Sequence, residues 1–265
     1  IEKFSKMFEN VWESEIDFTR GYIYDHGLVF GSQYSFQQEN RFYAFPNIRK
    51  ETKQEFEDIF GETKKADPKK YDMLEYWFNL LQQPVPKTMP EIIGVREVDP
   101  KRYYVAFMLS RIANIPVLEA YSSRHVSDWI KSIIYMYLRK NDILIPNSKE
   151  LRRGRELKRS VTGALTIAPK SGIYFNTVVT DFESLYPSVI DSYNLSYETV
   201  NCEHEECKSN RISEVDHHVC IKRRGFYSIL FGALKDLRIH WFKPLSKDYE
   251  LSEEERRSAE AIAKL

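Results

Sequence analysis

A run of eight residues from Asp181 to Ser188, Asp-Phe-Glu-Ser-Leu-Tyr-Pro-Ser, contains the side chains best suited to chemistry. The stretch before it, Ile173–Thr180, is apolar and β-branched, which predicts a buried strand. Asp181 would then stand at the exit of that strand. A carboxylate at such a position can reach into a cleft and bind a hard cation such as Mg²⁺.

The second half of the run predicts a helix start. Pro187 suits the first turn of a helix, and Ser184 or Tyr186 is a candidate cap. The backbone N–H groups around Leu185 and Tyr186 would point outward at the helix N-terminus, where anions bind. One carboxylate for a cation beside amides for phosphate oxygens indicates metal-assisted phosphoryl or nucleotidyl transfer.

A second candidate metal site lies further along the chain. All three cysteines fall between Cys202 and Cys220, in the pattern Cys202-x-His204-x₂-Cys207 followed by His217-His218-x-Cys220. Thiolates with an imidazole suit a structural zinc ion, and the fourth ligand is His204, His217 or His218. The alternative is a surface loop with free thiols.

Charge is unevenly distributed along the chain. The formal net charge is zero, yet the segment from Arg139 to Lys170 contains nine basic residues and only three acidic ones. Such a stripe can neutralise nucleic-acid phosphates, although a solvated charged face is the alternative. The candidate DNA contacts in the stripe are Arg152, Arg153, Arg155, Lys158 and Arg159.

Composition limits the class of protein. With 265 residues, 42% hydrophobic and 14% aromatic, the chain can fold around a packed core as one large or two modest domains. No apolar run approaches the roughly 18 residues of a membrane span, so we expect no membrane partner. Three cysteines do not indicate a disulfide scaffold, which favours a cytoplasmic location. The start at Ile1 suggests a fragment or a processed chain.

Hydrophobic spacing predicts the elements that must position these residues. A hairpin of strands Leu165–Ala168 and Tyr174–Thr180, joined by a Pro-Lys-Ser-Gly turn, would deliver Asp181. A capping box formed by Ser252 and Glu255 predicts a helix through Ala263. Helices are also predicted at Lys53–Phe60, Tyr71–Leu81, Tyr103–Asn114 and Val126–Lys140.

The run from Asp181 to Ser188, followed by Val-Ile, resembles motif A of the family B DNA polymerases, and Asn194–Thr199 continues the likeness in the style of archaeal members. The resemblance implies an α+β fold, a palm built of an antiparallel sheet with helices, after a helical connector and before the start of the fingers helices. The implied division is 1–37 as a remnant of the N-terminal domain, 38–100 as a shortened segment in place of the exonuclease, 101–157 as the connector, 158–233 as palm with motif A and the Cys/His loop, and 234–265 as the start of the fingers.

The same resemblance implies roles for single residues. Asp181, with the backbone carbonyl of Phe182, would hold two catalytic Mg²⁺ ions that are shared with an Asp of motif C. Ser184, Leu185 and Tyr186 would line the nucleotide site, where the Tyr186 ring bars a ribose 2′-hydroxyl.

Two further sites depart from the family pattern. The segment Val161–Ala164 stands where the family has Tyr-x-Gly-Gly or Tyr-x-Gly-Ala, so Gly163 is a candidate DNA contact, while Val161 replaces the Tyr. The spacing Gly225-x₆-Gly232-x₅-Arg238 resembles the approach to the fingers, where an Arg meets the triphosphate; the alternative for Arg238 is a helix-surface position. The Lys often found four positions later is Phe242, with Lys243 next to it.

Other family motifs are missing from these residues. Asp58-Ile-Phe lacks the Glu of the exonuclease motif, which predicts that proofreading is absent. Motifs B and C are not found, and Asp191 is expected to be structural, so Asp181 would lack its metal-binding partner. We therefore expect a DNA-directed DNA polymerase in split or truncated form, inactive as this chain alone. Its partners would be primer-template DNA, dNTP and a second polypeptide with motifs B and C, and its location the nucleoid. The alternative is a non-catalytic, polymerase-derived DNA-binding or scaffolding subunit.

Overall fold

The computed structural model describes residues 42–43, 50–81, 85–86, 92–93, 96–97, 99–122, 126–145, 167–168, 170–212 and 216–264. In this part of the chain helices dominate. They are α1 (Lys50–Ala66), α2 (Pro68–Leu81), α3 (Pro100–Ala113), α4 (Val117–Ser122), α5 (Val126–Lys140), α6 (Leu185–Ser192), α7 (Phe226–Asp236), a π-helical segment (Leu237–Phe242), α8 (Lys243–Leu245) and α9 (Glu253–Ala263). A 3₁₀ turn covers Glu205–Ser209.

The predicted helices are confirmed, and the first two are longer than expected. Helix α2 begins at Pro68, whose missing N–H costs nothing at a first helical position. The Asp67 carboxylate accepts the N–H of Lys70 at 3.2 Å and caps the helix start. At the other end of the chain, Ser252 and Glu255 form the expected capping box of α9.

The main core lies where α1, α2 and α7 with the π-helical segment pack together. Phe56 of α1 stacks on Phe78 of α2 with ring centroids 4.4 Å apart, and Trp241 meets Phe78 edge-on at 5.1 Å. All three rings are buried, and truncating one to Ala would cost about 3–5 kcal/mol. Helices α1 and α2 therefore form one body with α7 and the π-helical segment.

Strands are few in the described part. Two short antiparallel ladders pair Phe42–Tyr43 with Val85–Pro86 and Ile92–Ile93 with Arg96–Glu97. Single bridges join Val200 to Val219 and Arg211 to His218. An antiparallel palm sheet is not seen among the described residues, so the expected α+β palm is supported only in its helices.

The hairpin predicted before Asp181 is wrong for the described residues. Tyr174–Thr180 is irregular and exposed, with Val179 at 88% exposure, and residues 167–168 are not a strand either. A strand exists only when a neighbour accepts its backbone hydrogen bonds, and the described residues offer this segment no such neighbour. Its apolar and β-branched composition therefore did not produce a buried strand.

Other predictions fall on undescribed residues. The N-terminal remnant 1–37 lies outside the described part, and so does most of the basic stripe. The division into domains stays a prediction. Among the described helices, none is both long and apolar enough to cross a bilayer.

Candidate active site and candidate metal centre

Asp181 faces solvent on the irregular segment that leads into α6. Its carboxylate accepts the N–H of Phe182 at 2.8 Å, and within the described ranges no cationic side chain pairs with it. The side chain is therefore neither sealed in a core nor neutralised by a basic neighbour. A carboxylate in this state is available to a hard cation, with the Phe182 carbonyl next to it.

Helix α6 begins without a side-chain cap. Ser184 occupies the N-cap position in a left-handed conformation, with φ of 51°, and its hydroxyl makes no bond to the first turn. The helix starts with the bond from the Ser188 N–H to the Ser184 carbonyl at 3.0 Å. The N–H groups of Leu185 and Tyr186 at this terminus are thus positioned for an anion, and the Tyr186 ring beside them is exposed.

Arg238 contacts this helix start, while its predicted role as a triphosphate contact stays a prediction. Its Nη1 donates to Ser184 Oγ at 3.3 Å, and its Nε donates to the Ala263 carbonyl at 2.9 Å. Lys243 forms an ion pair with Glu183, the residue before Ser184. The hydrogen bond and charge of Lys243, with smaller effects of Arg238 and His240, hold the pKa of Glu183 below its usual value. Sequence reasoning assigned no role to Glu183, and it named Lys243 only as the neighbour of Phe242, the position where the family often has a Lys.

The far end of α6 is anchored through Asp191, which was expected to be structural. This carboxylate is buried and accepts Lys70 Nζ of α2 at 2.8 Å and Lys235 Nζ of α7 at 3.0 Å. Arg224 pairs with the same carboxylate and donates to the Asp191 carbonyl at 2.7 Å. Burial alone would raise the pKa of Asp191, but the bonds and charges of Lys70 and Lys235 outweigh it and lower the pKa.

The network around Asp191 is balanced in charge. Lys70 also pairs with Asp236 at 2.5 Å, and Arg224 also pairs with Asp67 at 2.8 Å. Three carboxylates therefore face three cations: Asp67, Asp191 and Asp236 against Lys70, Arg224 and Lys235. This anchor network joins α2, α6 and α7. Two bonded members, Asp67 and Arg224, are 157 positions apart in the sequence, and a pattern of near neighbours cannot reveal such a contact.

Asn194 ties the end of α6 to the Cys/His loop. Its Nδ2 donates to the carbonyls of Cys220 and Arg223, both at 2.9 Å, and its Oδ1 accepts the Gly225 N–H at 2.8 Å. The left-handed backbone of Asn194, with φ of 54°, turns the chain so that these bonds form. The loop is thereby fixed to the same body as Asp191.

The three cysteines and one histidine converge inside that loop. The ligand atoms of Cys202, His204, Cys207 and Cys220 all lie within 4.8 Å of one another. Cys207 Sγ is 3.9 Å from Cys220 Sγ, which is 3.5 Å from His204 Nδ1. Ligands of a tetrahedral zinc ion are about 3.5–3.8 Å apart, given Zn–S near 2.3 Å and Zn–N near 2.0 Å. The four residues fit a Cys₃His metal site.

The other two histidines make different bonds. His217 Nδ1 lies 2.8 Å from Asn201 Nδ2, and His218 Nε2 lies 2.9 Å from the Cys202 carbonyl. Of the three histidines considered as fourth ligand, the structure therefore brings His204 to the thiols.

Backbone donors support negative charge on these sulfurs. The Ile221 N–H points at Cys207 Sγ at 3.4 Å. Burial would raise the pKa of Cys220, but backbone N–H groups of Arg223 and Lys222 lower it, while burial raises the pKa of Cys202. Amide donors around thiolates are the surroundings that a metal-bound cysteine cluster uses.

The predicted DNA contacts are not tested by the structure. They lie outside the described residues: Arg152, Arg153, Arg155, Lys158, Arg159 and Gly163.

Part of the chain is similar to known proteins. Residues 117–232 match the family model of DNA polymerase family B. The "DNA polymerase 1" of Sulfurisphaera ohwakuensis is 38% identical over 160 residues, which are 56% of this chain and 18% of that protein. Proteins of the same name from Sulfolobus acidocaldarius and Aeropyrum pernix are 36% and 35% identical, over 56% and 58% of this chain and 18% and 17% of their own length. The match therefore spans less than a fifth of these archaeal relatives.

Proposed function

We propose that this chain, whose residues 117–232 match the family model of DNA polymerase family B, supplies one half of the active site for template-directed DNA synthesis. The observation that carries the proposal is the solvent-facing Asp181 immediately before an uncapped helix start that Arg238 flanks. A metal-binding carboxylate and a phosphate-binding terminus are thereby separated by only a few residues. The substrates on this proposal are primer-template DNA and dNTP.

The mechanism divides the work among these residues. Asp181 and the Phe182 carbonyl would hold Mg²⁺, and the ion would supply the positive charge that favours deprotonation of a primer 3′-hydroxyl and its attack on the α-phosphate. The amides of Leu185 and Tyr186 and the guanidinium of Arg238 would stabilise the charge on the triphosphate. The exposed Tyr186 ring would meet the sugar, where it discriminates against a 2′-hydroxyl. The stripe from Arg152 to Arg159 would hold the DNA backbone.

Two-metal transfer needs carboxylates on both sides of the ions, and motif C is not among these 265 residues. We therefore propose that Asp181 acts together with an Asp of motif C that lies outside these 265 residues, and that these residues alone do not synthesise DNA. The place of action would be the nucleoid. The expected lack of proofreading stays a prediction, and degradation of a mismatched primer end by the chain would contradict it.

Primer extension tests the proposal. The chain is assayed alone and then with a polypeptide that carries motifs B and C, in wild-type and Asp181→Asn form. We expect synthesis only in the mixture, with a loss of about 10³-fold or more in the variant. The matched control is the variant Asp72→Asn, which changes an exposed Asp on α2 and should leave synthesis unchanged.

Synthesis that survives Asp181→Asn would refute the metal role. DNA binding without synthesis in every mixture would favour the scaffolding alternative.

We also propose that Cys202, His204, Cys207 and Cys220 bind a structural zinc ion. Closing this loop around a metal would hold its exit against α6 through Asn194. Metal analysis of the purified chain should find one zinc per chain, and Cys207→Ser should lose it. His217→Ala is the control, because His217 bonds to Asn201 instead of the thiols. Equal zinc loss from His217→Ala, with zinc retained in His204→Ala, would overturn the ligand set.

A further inference from the structure

A series of aromatic rings lies where the turns after α6 meet the start of α7. The ring centroid of Tyr197 is 5.5 Å from that of Tyr227, which is 5.5 Å from that of Phe231. Tyr227 and Phe231 stand four positions apart on α7 and therefore share one face of the helix. Tyr197 is 69% exposed, and the other two rings are half-buried. The series thus offers aromatic surface to a ligand from outside.

Hydrogen bonds hold this surface in a fixed arrangement. The Tyr227 N–H donates to Ser196 Oγ at 3.3 Å. The Phe226 N–H donates to Glu198 Oε1 at 2.7 Å. The two neighbours of Tyr197 in the sequence therefore tie its turn to the first residues of α7. A pre-organised surface loses little conformational freedom when a ligand binds.

Basic groups lie beside the rings at two places. The exposed Arg223 side chain donates to the carbonyl of the residue after Tyr197 at 2.6 Å. The exposed Lys131 side chain of α5 lies over the Tyr135 ring, with Nζ 5.3 Å from the centroid. Burial raises the pKa of Tyr227 to about 12, and Tyr197 and Tyr135 add to the effect, so the three hydroxyl groups are close together. The two cations therefore belong to the same surface as the rings.

The carboxylate beside the rings, Glu198, is used by the protein itself. Its Oε1 accepts the Phe226 N–H at the start of α7, and its Oε2 accepts the Ser196 hydroxyl. The positive end of the helix dipole compensates a carboxylate at this position. A ligand that approaches the rings therefore meets the charges of Arg223 and Lys131, which favour a polyanion.

Exposed aromatic rings with cations beside them are the means by which proteins bind single-stranded nucleic acids. Each base has a π-face that can stack on a tyrosine ring, while the cations neutralise the phosphates. The bases of a duplex are stacked on one another and do not reach such a ring. A proline-rich peptide also packs on aromatic side chains, but it has no use for the two cations.

We infer that this surface binds single-stranded DNA, with a base stacked on Tyr197 and backbone phosphates at Arg223 and Lys131. That the ligand is DNA instead of RNA rests on the proposed function, in which the unpaired part of the template is the single strand at hand. The ring series and its cations rest on the structure of the chain alone. The surface lies apart from the basic stripe Arg152–Arg159 in the sequence and adds stacking to the contacts expected there.

Fluorescence anisotropy of a labelled oligothymidylate of about 12 nucleotides, titrated with the 265-residue chain, tests the inference. Tyr197→Ala should weaken binding about five- to thirtyfold, because one stacking platform is lost. Tyr197→Phe keeps the ring and should bind as the wild type. The matched control is Tyr249→Ala, which removes a tyrosine at 90% exposure in the turn before α9 and should also bind as the wild type.

Salt dependence separates stacking from phosphate contacts. Tyr197→Ala should leave the slope of log affinity against log salt concentration unchanged, because no charge is removed. Lys131→Gln should reduce the size of this slope by about 0.7, the contribution of one phosphate contact to a single strand. Circular dichroism of each variant checks that the fold is kept.

Four results would overturn the inference. They are a wild-type chain that does not bind the strand, equal binding by Tyr197→Ala and Tyr249→Ala, an equal loss in Tyr197→Ala with a duplex of the same length, and an unchanged salt slope in Lys131→Gln. Tyr197-dependent binding of a proline-rich peptide in preference to the strand would identify a protein partner instead. Tighter Tyr197-dependent binding of oligouridylate would identify RNA as the ligand and overturn DNA.

The variant Asp181→Asn separates this inference from the proposed function, and it should bind the strand as the wild type does. Strand binding that depends on Tyr197, without synthesis in any mixture, would keep the surface and overturn the polymerase proposal. Synthesis that requires Asp181, with strand binding that is equal in Tyr197→Ala and Tyr249→Ala, would keep the polymerase proposal and overturn the surface.

Discussion

One aspartate precedes helix α6 and another lies in its last turn, and their surroundings are opposite. Asp181, before the helix, faces solvent and bonds only locally to the Phe182 amide. Asp191, in the last turn, is buried at 6% exposure and binds Lys70, Lys235 and Arg224. One short helix thus has an open end that can receive ligands and a closed end that fixes its position.

The contrast shows how the chain separates binding from anchoring. At the open end the contacts are few and half-exposed, such as Glu183 with Lys243, so an incoming ligand can replace them. At the closed end, three cations and three carboxylates neutralise one another in a buried or partly buried place, and removing one partner leaves uncompensated charge. Substitutions at the closed end should therefore lower the stability of the fold, whereas substitutions at the open end should leave it nearly unchanged.

The largest effect is expected from Asp191→Asn. The variant leaves three cations against two carboxylates in a buried place, which should cost about 3–5 kcal/mol of unfolding free energy. Urea denaturation measures it, with Asp72→Asn as the exposed control that should change stability by less than about 0.5 kcal/mol. If the two variants are equally stable, the closed end is not an anchor.

A smaller loss is expected from Gly232→Ala, which crowds the same carboxylate. An added Cβ would lie 2.6 Å from Asp191 Oδ1 and 2.7 Å from its Cγ, so the network must shift. We expect a loss of about 1–3 kcal/mol in the same denaturation experiment.

The control is Gly61→Ala in α1, where a Cβ meets nothing within 4 Å. This change should stabilise the helix by about 0.5–1 kcal/mol, because Ala loses less backbone freedom than Gly. If Gly232→Ala and Gly61→Ala both raised the unfolding free energy, the tight contact between Gly232 and Asp191 would be contradicted.

The contribution of Asp191 to stability should decrease as the pH is lowered. Because its pKa is lower in the folded chain than in the unfolded chain, Asp191 stabilises the fold fully above its unfolded pKa of about 3.9. This contribution is lost as the pH falls through the lower folded pKa. Urea midpoints between pH 6 and pH 2.5 should therefore fall less in Asp191→Asn than in the wild type. Parallel curves would mean that the carboxylate is not the titrating group.

The smallest effect on stability is expected at the open end. Asp181→Asn should change the unfolding free energy by less than about 0.5 kcal/mol, because the side chain is exposed and makes one local bond. Thermal unfolding beside the wild type measures it. A loss comparable to that of Asp191→Asn would show that Asp181 also holds the fold, and would remove the distinction between the two ends.

Local signals made several features predictable. Helix Val126–Lys140 and the capping box of α9 follow from spacing within one element, where the chemistry of near neighbours decides the structure. The Cys/His cluster also follows from residues close in sequence, although the choice of His204 needed coordinates because three histidines were compatible with the spacing. The strand Tyr174–Thr180 was wrong because a strand depends on a partner that its own sequence does not specify.

The sequence by itself determined the run from Asp181 to Ser188, the helices and the ligands available for a metal, since these depend on residue types at short spacing. Only the tertiary structure decided that Asp191 is bound by Lys70 and Arg224, and that Lys243 instead of Phe242 stands beside Arg238. The physical reason is the same in both cases. Ion pairs between distant helices and the register of a π-helical turn depend on how the core packs, and no local pattern encodes that packing.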